Sequence, residues 1–427
     1  MRARWRTLAA LAGATAVAQI AVVLASPLLT RLYTPADVGV YAATVSVVSI
    51  VIVVACLRFE QAIPLPGDER LMASLVVLCA GFAIATTVIL GVILVFLDGQ
   101  IAGMLGIPSV RGLMLPVLLA VLGGALYSTV GAWAVRCGEF SELARTRVTQ
   151  AASLLVFQLA FGFAGFGAPG LVLGDAVGRS AGTVRLARIM WHAQRDAFRS
   201  VTLASIRAAA SRYRRFAFLS TPSALLDMIA IQAPVFILLA LFGPSTAGLY
   251  GLASRIGSVP NALAAASVGP MFLEESARQQ RDDPALLGTT FLVALRRLAL
   301  LGLGPTLLIV VVAPFAFGLV FGSAWAEAGL YAAILAPMQY MQMITSPLSG
   351  ILTVLERQDL HLVRECVSIV VLGGVVVLAV VAHLDSLQVV AALSAAGTLN
   401  AVIYLGVMWL AISRARAAST PRAMASR

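Results

Sequence analysis

The sequence predicts an all-α polytopic membrane protein of about twelve transmembrane helices, arranged as two six-helix bundles around a central cavity. Three observations carry this. First, 60% of the 427 residues are hydrophobic and only 11% are charged, against about 25% charged in an ordinary soluble domain. A mean hydropathy of +0.96 leaves too little polar surface to coat a water-soluble body. Second, apolar runs of the ~20 residues needed to cross a bilayer recur along the whole chain. They lie near 8–29, 38–57, 71–97, 113–135, 149–167 and 169–190, and then near 216–242, 247–272, 287–321, 328–354, 365–383 and 387–413. No interval alternates with period two, which argues against a barrel.

Third, the chain contains an internal repeat. Leu32-Tyr33-Thr34-Pro35-Ala36-Asp37-Val38-Gly39-Val40-Tyr41 matches Leu241-Phe242-Gly243-Pro244-Ser245-Thr246-Ala247-Gly248-Leu249-Tyr250, 209 residues on. In both places the pattern joins the first helix of a half to its second. The proline is read as ending one helix and the glycine as allowing a tight re-entry. Six helices per half is an even number, so both halves insert in the same orientation, related by an axis along the membrane normal. The domains expected are 1–190, a cytoplasmic linker over 191–215, and 216–427.

Taken in order, the first run follows Arg2, Arg4 and Arg6, as in a signal peptide. It continues through Leu29, beyond the 7–15 residues of a typical signal core, and is read as a retained helix. The linker is amphipathic: Phe198, Val201, Ile206, Ala209 and Tyr213 share a helical face, with Arg195, Arg199, Arg207 and Arg212 among the rest. It is read either as a tether on the anionic inner leaflet or as a generic basic connection. Pro222, Pro234, Pro260, Pro270, Pro305, Pro314, Pro337 and Pro347 interrupt helices of the second half, where the first half has only Pro27 and Pro116 in comparable places. Prolines permit bending, so the second bundle is expected to hold the kinked helices; the plainer reading is that they shape packing.

Lysine is absent, and every one of the 30 basic side chains is arginine. That removes P-loop phosphate binding and any lysine nucleophile or Schiff base. All of these arginines except Arg31, Arg111, Arg179 and Arg255 fall in loops or tails, or in segment ends beside them, that one orientation places inside. The positive-inside rule then puts both termini in the cytoplasm. The net charge of +11 is thereby a topology signal, with no nucleic-acid partner implied.

Enzyme motifs fail. Gly165-Phe166-Gly167-Ala168-Pro169-Gly170 matches G-x-G-x-x-G, but no strand precedes it and it lies between two apolar segments. Cys56, Cys79, Cys137 and Cys366 lack metal spacing, and His192, His361 and His383 are scattered at helix edges. No metal or other cofactor is expected, with H⁺ or Na⁺ coupling left open.

The informative residues are ionisable groups inside the hydrocarbon, which are costly there and so face a watery or partnered interior. Asp227 lies near the middle of the seventh segment. Arg179 lies within the sixth, four residues after Asp175, a spacing that allows an ion pair on one face. That pair is either part of the cavity or helix packing. Arg255 lies in the eighth segment with no acidic neighbour at helical spacing, and a buried arginine without a local partner calls for an anion. Arg58 and Glu60, at the inner end of the second segment, are read as a cavity gate or as snorkelling interfacial charges. Arg31 departs from positive-inside and is read as functional or as a helix cap. The candidate substrate-binding residues are thus Arg255, Arg58, Arg179 and Arg31, and the candidate coupling or cavity carboxylates are Asp227, Asp175 and Glu60.

The run from Pro27 through Leu32-Tyr33-Thr34-Pro35 to Tyr41, followed by Leu57-Arg58-Phe59-Glu60-Gln61-Ala62-Ile63, resembles the opening of Wzx-type polysaccharide (O-antigen) flippases. These form part of the polysaccharide-transport branch of the multidrug/oligosaccharidyl-lipid/polysaccharide exporters. Gln232-Ala233-Pro234-Val235 and Ala247-Gly248-Leu249-Tyr250-Gly251-Leu252-Ala253-Ser254-Arg255 carry the resemblance into the second half. It implies translocation of an undecaprenyl-diphosphate-linked oligosaccharide across a bacterial inner membrane, with a cationic cavity for the diphosphate and sugar. The partners implied are the lipid-linked oligosaccharide and membrane lipid, with a polysaccharide polymerase and a chain-length regulator as further candidates. Arginine forks suit phosphate, although the halves are not matched: Ser267 stands opposite Arg58 in the repeat, and Ser46 opposite Arg255.

A cation-coupled multidrug exporter is the rival within the same fold; Asp227 would serve it, while buried arginines oppose cationic drugs. An O-antigen polymerase or ligase would need a sizeable external loop, and the loops here are short. A lipid-II-type flippase would favour fourteen helices.

Overall fold

The computed structural model describes residues 2–105, 111–283, 286–355 and 357–425. The side chains of Arg2, Arg4, Arg6, His361, Arg416, Arg422 and Arg427 lie outside the described residues. Among the described residues every regular element is helical, as the hydrocarbon demands when each backbone polar group must be satisfied within its own segment.

In chain order the helices are α1 (Arg2–Leu32), α2 (Pro35–Ala55), α3 (Glu69–Phe96), α4 (Asp98–Leu105), α5 (Arg111–Cys137), α6 (Phe140–Phe163), α7 (Gly167–Ser180), α8 (Thr183–Ala193), α9 (Arg195–Arg199) and α10 (Leu203–Arg212). There follow α11 (Thr221–Gly257), α12 (Val259–Asp282), α13 (Leu287–Phe321), α14 (Ala326–Leu348), α15 (Gly350–Val354), α16 (Gln358–Val381) and α17 (Ser386–Ala425). Eight stretches among the described residues are long and apolar enough to cross a membrane. One of them, Phe216–Asp282, is 67 residues long and is broken at Gly243, which takes φ 82° and ψ −179°. The protein is a multi-pass, all-α membrane protein. Its large exposed side chains agree: Phe96, Phe315 and Leu319 are each more than 80% exposed, a state that lipid covers and water would penalise.

Packing groups the chain into two compact units, Met1–Gly251 and Leu252–Arg427. In the first, α1 and α6 run parallel, with Leu32 and Tyr33 at the end of α1 against Gly162 at the end of α6. α7 returns antiparallel along α6, its Gly170, Gly174 and Gly178 facing Phe161, Gln158 and Leu154 in turn. Small residues at such spacing let helix backbones approach closely, which is how apolar helices associate when lipid offers no hydrophobic drive. The second unit is cored by Phe291, Leu298, Ile344, Leu348, Tyr404 and Met408, drawn from α13, α14 and α17.

Three local readings change. Pro35 does not end the first helix; it is the first residue of α2, after the N-cap Thr34, where its missing N–H costs nothing. Gly39 is an interior residue of α2 and makes no turn. The linker forms two short helices rather than one amphipathic run, because the Thr202 and Ser205 side chains build a capping box that starts α10 anew. α10 docks on α3: Arg70 donates to Thr202 Oγ1 at 3.3 Å and Ser74 to Ser205 Oγ at 2.8 Å. The division at 191–215 rests on the repeat and stays a proposal.

Candidate functional site

Two partly buried charge clusters lie in the first unit. Asp175, 4% exposed on α7, accepts from Arg179 Nε at 2.5 Å and from the Tyr41 hydroxyl of α2 at 3.4 Å. The i,i+4 spacing on a helix brings the ion pair together, and the tyrosine is the last residue of the first repeat copy. Arg179 is also fixed through its backbone, whose carbonyl accepts from Gln150 Nε2 of α6 at 3.2 Å. Its guanidinium is therefore already engaged by a carboxylate.

The second cluster follows α2. Leu57 and Arg58 both take left-handed backbone, with φ of 47° and 59°, a conformation that costs non-glycine residues of order 1–3 kcal/mol and gathers at functional sites. Arg58 Nη1 lies 3.7 Å from Glu60 Oε1. Arg58 Nε and Glu60 Oε2 are buried without a hydrogen-bond partner, which is costly for groups of this kind. Burial pushes the Glu60 carboxyl above the usual carboxylate range, with the Arg58 charge opposing it. Phe59 stacks on Phe82 of α3 with ring centroids 6.0 Å apart. Arg136, from the end of α5, donates to the Pro66 carbonyl and pins the following loop.

Arg31 is exposed in the last turn of α1, where a cation faces the negative end of the helix dipole. Asp227 is half-buried near the start of α11. In the second unit, Arg255 is half-buried in the last turn of α11 and forms no ion pair among the described residues. Beside it α11 gives way to α12 at Ser258, whose hydroxyl donates to the Arg255 carbonyl. Gly257 lies against Gln339 of α14, where a Cβ would stand 2.5 Å from the amide oxygen. That oxygen and Asn261 Oδ1 are buried without partners.

Sequence reasoning missed Asp37 and Gln158. Asp37 completes a capping box with Thr34 and also accepts from the Ala168 N–H at the start of α7, at 3.0 Å. The Thr-x-x-Asp spacing, a capping-box pattern, is the signal that could have found it. Gln158 is fully buried. Its carbonyl accepts from the Tyr33 hydroxyl at 2.6 Å, while its amide donates to Leu171 at 3.1 Å. Burial, with the Asp37 charge nearby, pushes the Tyr33 phenol up to about 12.

The two copies of the repeat also meet. A Cβ on Gly39 would overlap the Pro244 carbonyl oxygen and lie 3.1 Å from Gly248 N. A Cβ on Gly248 would overlap the Pro35 carbonyl oxygen and lie 2.8 Å from Gly39 N.

Residues 28–330 match the polysaccharide biosynthesis protein family. The succinoglycan biosynthesis transport protein ExoT of Rhizobium meliloti (strain 1021) is 26% identical over 321 residues. That match takes in 71% of this chain and 59% of the relative, so the chain spans less than two thirds of the relative's length. Among solved structures, an inward-facing multidrug resistance MATE family transporter of the MOP superfamily is similar with a TM-score of 0.65 and 16% identity, covering 96% of this chain and 95% of that one. The lipid II flippase MurJ, in an inward closed conformation, is similar with a TM-score of 0.66 and 13% identity, covering 94% and 89%. The family and these neighbours are transport proteins rather than enzymes. With the fold of the MOP transporters and a family match over most of its length, the chain belongs to the polysaccharide biosynthesis protein family.

Proposed function

We propose that this protein is a flippase that moves an undecaprenyl-diphosphate-linked oligosaccharide from the inner to the outer leaflet of a bacterial inner membrane by alternating access, for surface polysaccharide assembly. The observation that carries the reading is Arg255: a half-buried guanidinium on a membrane helix with no ion pair among the described residues. Such a group is costly in hydrocarbon unless an anion meets it, and a diphosphate accepts its fork in two parallel hydrogen bonds. The family match supports the saccharide part of the reading.

In this reading Arg255 holds the diphosphate and Asn261 and Gln339 supply amides for the sugar. Arg58 and Glu60 act as a gate at the inner end of α2, and Arg31 stands at the outer end of α1. Asp227 and the Asp175–Arg179 pair supply the carboxylate chemistry through which H⁺ or Na⁺ would be coupled. Both termini lie in the cytoplasm in this reading, which the arginine distribution supports. A polysaccharide polymerase and a chain-length regulator act on the product after translocation.

The test is expression in a bacterium that lacks its own flippase and makes a defined lipid-linked oligosaccharide. Surface polysaccharide returns if the reading holds. No return across a panel of lipid-linked substrates, at normal membrane abundance and together with acquired export of a cationic dye, overturns it in favour of a multidrug exporter.

A further inference from the structure

Arg145, Arg185 and Arg188 line one open groove of about 1040 Å³ between α1, α6 and α8, and none of the charged residues of the clusters described above lines it. Ala14, Ala144, Val148, Val184 and Ile189 form its apolar wall. Val148 and Val184 are 44% and 63% exposed, so the wall is open to the surroundings.

The groove lies where apolar spans end. Arg145 lies in the second turn of α6, ahead of the apolar run near 149–167, and Arg185 and Arg188 lie on α8, at the end of the run near 169–190. Glu142 is the acid that meets these cations. It accepts from Arg185 Nε at 2.7 Å and from Arg145 Nη1 at 3.0 Å, and Arg185 holds its carboxyl below the usual carboxylate range. One carboxylate against three guanidiniums leaves a surplus of two positive charges. Arg188 is exposed and forms no hydrogen bond or ion pair among the described residues.

We propose that this groove binds an anionic phospholipid of the surrounding bilayer, its phosphate on Arg188 and Arg185 and its acyl chain along Val148, Val184 and Ile189. A free anion would use the guanidiniums but leave the apolar wall uncovered. A neutral lipid would do the reverse. Only a molecule with both parts matches the two surfaces, and anionic headgroups attract arginine near a membrane surface. α8 presents Arg185 and Arg188 to the groove while burying Leu186 and Met190 in the protein. The helix is thus held by its own core and does not need the lipid in order to form.

The test uses the full chain purified in detergent, with retained lipid counted by native mass spectrometry against added dioleoylphosphatidylglycerol, dioleoylphosphatidylcholine, undecaprenyl diphosphate or inorganic phosphate. Arg188→Gln is expected to weaken phosphatidylglycerol about fivefold, the effect of one arginine at a membrane surface, with phosphatidylcholine unchanged. Arg188→Lys is expected to retain binding. Val184→Trp, which fills the groove without altering charge, is expected to remove one bound phosphatidylglycerol while leaving the unfolding midpoint in place. Equal retention of both phospholipids by the unaltered chain, or no change in Arg188→Gln and Val184→Trp alike, overturns the proposal. Displacement of phosphatidylglycerol by undecaprenyl diphosphate at equal concentration overturns it too, making the groove a substrate dock, and displacement by inorganic phosphate reduces it to an anion site.

Discussion

Gly39 and Gly248 stand at equivalent places in the two copies of the repeat, and each fills with empty space the position that the other copy's proline carbonyl needs. The contact is reciprocal: Pro244 O against Gly39, and Pro35 O against Gly248. Glycine is required here for close approach rather than for a turn, since both residues are helical. Any Cβ forces the two backbones apart. Gly39→Ala and Gly248→Ala are each expected to destabilise the protein by roughly 1–3 kcal/mol, the range for overpacking a tight contact. The double variant should cost less than the sum, because one separation relieves both clashes and neighbouring sites are not additive. Thermal unfolding of the four proteins in detergent measures this; strict additivity would mean that the two glycines do not share a contact.

Asp175 and Arg179 give a second cycle. Removing the arginine leaves a carboxylate 4% exposed with only the Tyr41 hydroxyl among its described partners. Breaking a buried pair from one side costs about 3–5 kcal/mol, whereas removing both partners is far milder. Arg179→Ala should therefore lower the unfolding midpoint strongly, and Asp175→Ala with Arg179→Ala should restore most of it. Transport separates the two roles of the arginine. If the double variant is stable yet inactive, the pair acts in transport, Arg179 on the substrate or Asp175 on the coupling ion; if it transports normally, the pair is structural.

The sequence carried some of this openly and hid the rest. Asp175–Arg179 was legible because four residues on a helix is a fixed geometry. The capping box of Thr34 and Asp37 was equally local, but the second bond of Asp37, to Ala168 131 residues away, was not. Gly39 was misread as a turn glycine because the atom that excludes its side chain belongs to the other repeat copy, 209 residues on. Gln158 was invisible for another reason. A neutral amide within an apolar run raises no alarm until its partners, Tyr33 and Leu171, are brought to it by the packing of α1 and α7 on α6. Helices were written in composition; the contacts between them were not.

Glu60 predicts a pH dependence. Burial raises its proton affinity in the folded state above the unfolded value. An acid shifted this way favours folding fully below its unfolded pKa, and that contribution is lost as pH rises through the folded one. The wild-type unfolding midpoint should fall over the interval from the ordinary carboxylate range up to the raised value. Glu60→Gln, which mimics the protonated form, should flatten that fall and match or exceed the wild type at its upper end. Unfolding midpoints across a pH series check it. An identical slope in both proteins would mean that Glu60 is solvated and charged throughout, against the lack of any hydrogen-bond partner for its Oε2.

Arg255 sets the sharpest test of substrate contact. If its guanidinium holds a diphosphate, Arg255→Ala removes charge-assisted hydrogen bonds worth ~1.5–3 kcal/mol, or about a 10- to 150-fold loss in the initial rate of lipid-linked oligosaccharide translocation at limiting substrate. Arg255→Lys keeps the charge but loses the planar fork, so it should fall between the two. The unfolding midpoint should hardly move or should rise, because an arginine with no ion pair among the described residues contributes burial cost without a compensating partner. A structural arginine behaves in the opposite way, with stability falling and the rate per folded molecule preserved. Measuring rate and midpoint on the same three preparations therefore decides whether Arg255 waits for an anion or supports the break between α11 and α12.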